Sequence, residues 1–211
     1  MNYSVVIVAA GKGSRTNLEY NKVFYKINGE SVIHKTLSVF MQDEECVEII
    51  VVISKVEQAM FEHLLDSDKI VYVEGGSTRQ ESVYNGLEAV SSAYVMIHDG
   101  ARPYLTNKEV GSLKQILKKE DACLLMVPVI DTIKIVEDGY VVSTPQRSTC
   151  FAAQTPQCFK TSMIIDCHRK AIKDGFIASD DAQLVEKYGG KVKVVMGDYA
   201  NKKITTKEDL D

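Results

Sequence analysis

"VVIVAAGKGSRTNLEYNK", residues 5–22, decides how the rest of the chain is read. An apolar run, Val5 to Val8, ends abruptly in a glycine-bearing turn. Arg15 follows at once, and Lys22 comes seven residues later. A continuous β-branched run is the pattern of a strand covered on both faces, as in a parallel sheet. Glycines at its carboxyl end put a pliable backbone where open α/β sheets bind ligands. Gly11 and Gly13 permit close approach of amide N–H groups to phosphate oxygens. Arg15 offers a planar fork and Lys22 a compact charge.

Three phosphate-binding patterns compete here. A P-loop needs four residues between its first glycine and Gly-Lys-Ser/Thr, and "GKGS" has the wrong order. A dinucleotide fingerprint needs a sixth-position glycine and an acid closing the second strand, but Thr16 stands at the former and Ser54-Lys55 follow Ile53. The third pattern is GxGxR with a following lysine, in which cations hold a triphosphate. A plain glycine turn with two solvated cations is the alternative.

Working outward, "EIIVVI" (48–53), "IVYV" (70–73), "YVMIH" (94–98) and "ACLLMV" (122–127) read as further buried strands. Helices are expected from Ser31, an N-cap ahead of Val32, Ile33, Thr36, Leu37 and Phe40, and over about 55–65, 79–90 and 107–119. This alternation predicts an α/β sheet flanked by helices. The rhythm breaks after Val127. "DTIKIVEDGYVVST" (131–144) carries two extended runs around Asp138-Gly139, a hairpin signal. We expect residues 131 to about 157 to form a β excursion. It is either a surface hairpin or an arm reaching a second subunit, since a lone ribbon is marginal. Helices near 161–173 and 180–188 and a strand at 192–196 complete the chain, which reads as a single domain.

The 211 residues carry a net charge of −4, which argues against a broad nucleic-acid surface but not against a local basic pocket. Five scattered cysteines without a CxxC read as reduced thiols. The N-terminal apolar run is too short for a signal peptide or membrane span, so a cytoplasmic location is expected.

Other clusters point to chemistry. In "GGSTRQESV" (75–83), paired glycines allow a flat base close to backbone and Ser82 could read its edge; a capped loop is the alternative. In "HDGARP" (98–103), Asp99 suits Mg²⁺, which favours one or two carboxylates plus substrate phosphates. Arg102 could hold an anion or simply pair with Asp99, and His98 reads as a core or supporting histidine. "NKKITT" (201–206) could fold back so that a lysine joins Arg15 and Lys22. "QTPQCF" (154–159) and "SDDAQLVE" (179–186) read as polar helix starts, with Asp180 and Asp181 as ordinary caps.

Taken together and in order, "AAGKGSR", Lys22, "GGSTRQESV", "HDGARP", "DTIK", "QTPQ", "SDDAQLVE" and "NKKITT" resemble the 2-C-methyl-D-erythritol 4-phosphate cytidylyltransferase family over essentially the whole chain. The resemblance implies a Rossmann-like, mostly parallel twisted sheet with a protruding β-hairpin arm, a homodimer clasped by such arms, and a divalent cation, Mg²⁺. It implies transfer of CMP from CTP to methylerythritol phosphate in isoprenoid precursor synthesis, with release of pyrophosphate. Ala9, Ala10, Gly11, Gly13, Arg15 and Lys22 match the nucleotide loop, with Arg15, Lys22 and Lys203 catalytic. Gly76 and Ser82 match cytosine-reading positions, and Asp99 the metal position. Arg102, Thr132, Arg147 and Ser179 match substrate contacts, Thr132 and Arg147 reaching the neighbouring subunit. The chain departs from the common pattern at Thr16, Asn21, Ser77, Gly100, Ser179 and Lys202. A ribitol 5-phosphate cytidylyltransferase and a non-catalytic nucleotide-binding module are the alternatives.

Overall fold

The computed structural model describes residues 1–11, 20–64 and 67–210. In chain order the elements are β1 (Tyr3–Val8), β2 (Lys26–Ile27), β3 (Glu30–Ser31), α1 (Val32–Met41), β4 (Cys46–Ile53), α2 (Gln58–Leu64), β5 (Ile70–Glu74), α3 (Arg79–Leu87) and β6 (Tyr94–Asp99). There follow α4 (Asn107–Leu117), β7 (Ala122–Pro128), β8 (Ile135–Glu137), β9 (Tyr140–Ser143), β10 (Phe151–Lys160), α5 (Thr161–Asp174), α6 (Asp181–Lys187) and β11 (Lys193–Met196). The strands and helices expected from periodicity are present, with ends shifted by one to three residues. The expected end of α2, Leu65, lies outside the described residues.

Seven strands form one sheet in the order β11-β7-β10-β6-β1-β4-β5. Strand β1 pairs in parallel with β4 and β6, β4 with β5, and β7 with β11. Strand β1 is apolar at successive positions because both its faces are covered. Val5 and Ile7 pack with Leu37 and Phe40 of α1 and Leu113 of α4. Val6 packs on the other face with Val83 and Leu87 of α3 and Ile164 of α5. A three-layer helix–sheet–helix sandwich results.

Strand β10 corrects the sequence reading in two ways. The expected excursion runs to about residue 157, yet the chain re-enters the sheet at Phe151. There β10 lies antiparallel between β6 and β7. "QTPQCF" is therefore part of a central strand and not a helix start. A proline and two glutamines argue against a central strand. The sheet accommodates them by an irregularity: Ala153 faces Met126, and the next pair is Gln157 with Leu124. The buried polar groups find partners, as buried polar groups must. Gln154 donates to Asp198 O (2.8 Å) and Gln157 to Asp180 Oδ2 (2.8 Å), while Gln157 Oε1 accepts from Ala182 N (2.9 Å).

The hairpin itself forms where expected. Asp138 and Gly139 both have positive φ, 50° and 83°, the conformation that a tight two-residue turn requires. Ribbon β8–β9 is separate from the main sheet and exposed along its length. Among the described residues no helix is long and apolar enough to cross a membrane.

Local capping fixes the helix starts. Ser31 Oγ accepts from His34 N at 3.3 Å. Thr106 and Glu109 form a reciprocal capping box ahead of α4. Thr106→Ala should lower stability by about 1 kcal/mol, a fall in melting temperature of about 2–4 °C for a chain of this length. Differential scanning calorimetry of wild type and variant checks this; an unchanged transition would contradict it.

Candidate functional site

The strand order reverses beside β1: the chain goes from β1 to β4 on one side and later returns to β6 on the other. A crevice at the carboxyl ends of such strands is the ligand position of open α/β sheets. Here it holds a cavity of about 550 Å³. Its lining comes from four places: residues 8–11 after β1 with Lys22 and Val23, residues 76–79 and Ser82 around the start of α3, Asp99 and Ala101 after β6, and Lys203.

Each segment is held there by identifiable contacts. Asn21 ties the loop down. Its Nδ2 donates to Ala9 O (2.8 Å) and Glu57 Oε2 (3.1 Å), and its Oδ1 accepts from Val23 N (3.3 Å). Lys22 sits in the turn so formed and is largely buried. Gly13, Arg15 and Thr16 lie outside the described residues.

The paired glycines serve packing as well as access. A Cβ at Gly75 would lie 2.7 Å from Ala10 Cβ, and one at Gly76 2.6 Å from Glu81 Cβ. Both contacts are too short for a side chain, so the loop closes tightly on β1 and α3. Gly76 N donates to Ser82 Oγ at 3.0 Å, which places the serine hydroxyl at the cavity wall.

Asp99 is the carboxylate on this lining among the described residues. It is 6% exposed and meets three cations. Lys203 Nζ is 3.1 Å from Oδ2, Arg102 Nε 3.3 Å from Oδ2, and Arg79 Nε 3.6 Å from Oδ1. Burial pushes the carboxyl's pKa up, but Lys203, Arg79 and Arg102 together override it and hold the group well below the usual carboxylate range. The group is therefore an anion at neutral pH.

Behind Asp99 is a neutral network. Thr155 Oγ1 accepts from Asp99 N (3.1 Å) and lies 2.9 Å from His98 Nδ1, to which it donates because the neutral ring carries its one proton on Nε2, facing a carbonyl. His98 Nε2 then donates to Arg102 O (3.3 Å). Burial is the main cause lowering the His98 pKa to about 4, so the ring is uncharged at pH 7. His98 is a supporting core residue, as expected.

The C-terminal segment folds back as anticipated. Ile204 N donates to Ala101 O (2.8 Å), and Asn201, fully buried, donates to Thr155 O (2.9 Å) and accepts Arg102 Nη1 on its carbonyl (2.7 Å). Lys203 thus reaches the same cavity as Lys22 from the far end of the chain.

Not every expected residue arrives there. Arg102 makes the internal pair with Asp99 weighed from sequence and stands behind it. Ser179 is exposed, donates its backbone N–H to Gln183 Oε1 and does not line the cavity. Thr132 and Arg147 are exposed near the ribbon, Arg147 Nη1 donating to Ile130 O (3.2 Å). Asp180 caps α6, accepting from Gln183 N at 2.9 Å. Asp181 is not a solvated cap: it is buried and paired with Arg79 Nη1 at 3.0 Å. Arg79 itself escaped the sequence reading, although its position at the first turn of α3 inside "GGSTRQESV" was visible.

Among the described residues no group of three or more His, Cys, Asp or Glu could cage a metal. A lone buried carboxylate in a phosphate-sized cavity instead fits Mg²⁺, which takes one or two carboxylates and completes its shell with water and phosphate oxygens.

The family model described as IspD, 2-C-methyl-D-erythritol 4-phosphate cytidylyltransferase, matches residues 3–211. The chain belongs to this family. It is 45% identical over 213 residues to the 2-C-methyl-D-erythritol 4-phosphate cytidylyltransferase of Bacillus mycoides (strain KBAB4), covering 99% of this chain and 94% of the relative. Among solved structures, the 4-diphosphocytidyl-2C-methyl-D-erythritol synthase of Anaerococcus prevotii matches with a TM-score of 0.90 at 35% identity, covering 99% of this chain and 92% of that one. The Francisella tularensis IspD matches at 0.86 and 31% identity, covering 100% and 97%. The family member described here is accordingly a 2-C-methyl-D-erythritol 4-phosphate cytidylyltransferase of isoprenoid precursor synthesis. The ribitol phosphate and non-catalytic alternatives are set aside.

Proposed function

We propose that the cavity at the carboxyl edge of β1 and β6 is where the CTP triphosphate and the methylerythritol phosphate meet. The single observation that carries this is Lys203: it arrives from residues 201–204 to within 3.1 Å of Asp99, in a cavity shared with Lys22 and the glycine loop. The reaction needs no covalent enzyme intermediate and no strong base, because the attacking phosphate is already ionised. The obstacle is an anion approaching a polyanion. Positioning and charge neutralisation are therefore what the chain must supply.

In this reading the chain is one nucleotidyltransferase domain. Ala9, Ala10, Gly11 and Gly13 present backbone to the nucleotide. Gly76 and Ser82 offer hydrogen bonds to the cytosine edge. Arg15, Lys22 and Lys203 stabilise charge growing at the α-phosphorus and on departing pyrophosphate. Asp99 would hold Mg²⁺, which when bound neutralises phosphate charge. Arg102 orients Asp99 through their ion pair, and in this reading Arg102 and Ser179 contribute to holding the polyol phosphate once it is bound.

Thr132 and Arg147 act in the partner's site of a homodimer clasped by the ribbons. The exposed apolar residues of β8–β9 support that reading, since Val136, Tyr140, Val141 and Val142 are each more than half exposed. A cytoplasmic location goes with the substrates.

A crystal grown with CTP and magnesium tests the assignment. The triphosphate should lie against Lys22 and Lys203 and the base against Gly76 and Ser82. Nucleotide density elsewhere would overturn it.

A further inference from the structure

We propose that His168 and Asp181 are a buried positioning pair for Arg79, and that Arg79 is a further phosphate-facing cation of the cavity. Arg79 opens α3, lines the cavity, and keeps about a third of its side chain exposed. Its guanidinium is held between two carboxylates, Nε toward Asp99 Oδ1 (3.6 Å) and Nη1 toward Asp181 Oδ2 (3.0 Å). Both contacts are ion pairs rather than hydrogen bonds, since Nε is 3.6 Å away and Asp181 Oδ2 has no hydrogen-bond partner among the described residues, so the two carboxylates hold the guanidinium between them by charge.

The two anchors differ. Asp99 lies on the cavity and changes its surroundings when phosphates enter. Asp181 is 1% exposed at the start of α6 and does not line the cavity, so it keeps its place. Arg79 can then stay aimed while Asp99 exchanges partners.

His168 backs this arrangement. It projects from α5, is fully buried, and its Nε2 is 3.6 Å from Asp181 Oδ1. Neither ring nitrogen has a hydrogen-bond partner among the described residues, so Nε2 acts on Asp181 as a buried polar neighbour at 3.6 Å and not through a hydrogen bond. Its ring stacks on Tyr84 of α3, with centroids 5.8 Å apart and planes at 29°. One side chain thus touches both the helix carrying Arg79 and the helix carrying its anchor. Burial pushes the Asp181 pKa up, and Arg79 and then His168 outweigh it, so the anchor is an anion.

Buried ion pairs are weak devices for stability, and an apolar side chain of the same volume often does as well. Two buried polar side chains, Asp181 and His168, stacked behind one cavity residue are better explained by orientation. The proposal rests on the cavity being the phosphate site.

Steady-state kinetics of four variants test it. His168→Phe keeps ring volume and stacking but removes both ring nitrogens. It should lower kcat about tenfold or more, the scale of a misplaced catalytic group, with a smaller change in KM. His168→Gln restores an N–H and should return kcat to within about threefold of wild type. In an Arg79→Ala background, His168→Phe should have no further effect, because the two act as a unit. If His168→Phe fails to fold, Asp181→Asn is read in the same cycle.

Wild-type kinetics for His168→Phe would overturn the proposal. So would failure of Gln to restore, or a loss persisting undiminished beside Arg79→Ala. Wild-type kinetics for Arg79→Ala alone would remove Arg79 as a cavity cation and leave the phosphate site itself to be judged at Lys203.

Discussion

Lys203→Ala is expected to lower kcat by about 10²–10³ while thermal unfolding and far-UV circular dichroism stay near wild type. The magnitude is that of losing one preorganised donor to a charge that develops in the transition state. The fold should tolerate the change because Lys203 is partly exposed and is not the sole partner of Asp99. Arg102 at 3.3 Å and Arg79 at 3.6 Å remain to compensate the buried carboxylate. The segment also stays in place, held by Ile204 N on Ala101 O and by Asn201 on Thr155. Pyrophosphate release on mixing CTP, magnesium and methylerythritol phosphate reads the effect. A near-wild-type rate would remove Lys203 from the chemistry.

Stability should fall between pH 6.5 and pH 4, and His98 is the cause. The folded ring has a pKa of about 4 against an ordinary 6.5. In that interval the unfolded chain binds a proton that the folded chain refuses, so acid favours unfolding. The loss amounts to about 3 kcal/mol across the window, at about 1.4 kcal/mol per unit of pKa difference. Asp99 acts in the same direction but later. Its carboxyl is depressed when folded, so its contribution is complete above its ordinary value of 3.8 and is lost only below that. Urea titrations at half-unit pH steps should show the decline starting near 6.5. His98→Asn, less stable overall, should show a flat profile from 6.5 down to about 4.5. A parallel decline in the variant would assign the effect to other groups.

The parts of this molecule that were legible in sequence are those governed by local rules. Val5 to Val8 could only be a covered strand, Asp138-Gly139 could only be a tight turn, and Ser31 announced its helix. Asp99 and Lys203 drew notice for a different reason: a carboxylate after a buried strand suits a cation, though it could equally pair with Arg102 and does, and Lys203 was picked out of its lysine pair by the family resemblance. What escaped depends on contacts distant in sequence. Strand β10 was missed because Pro156 breaks the expected pattern, and only the polar partners at Asp180, Ala182 and Asp198 make that interruption tolerable. Asp181 read as a cap because Asp180, its neighbour, is one. Its true partner, Arg79, lies about a hundred residues earlier. Ser179 and Arg147 matched motifs, yet a single chain does not bring them to the cavity.

Residues 201–204 also set a limit on how the chain can be trimmed or fused. All seven strands of the main sheet are complete by Met196, so a protein cut shortly afterwards would look finished by its strand content. It would nonetheless lack the Asn201 side chain that bonds Thr155 O in β10, the Asn201 carbonyl that accepts from Arg102, and the ammonium beside Asp99. For anyone designing a shortened version or a C-terminal fusion, the closing stretch is part of the cavity wall and should be left unstrained.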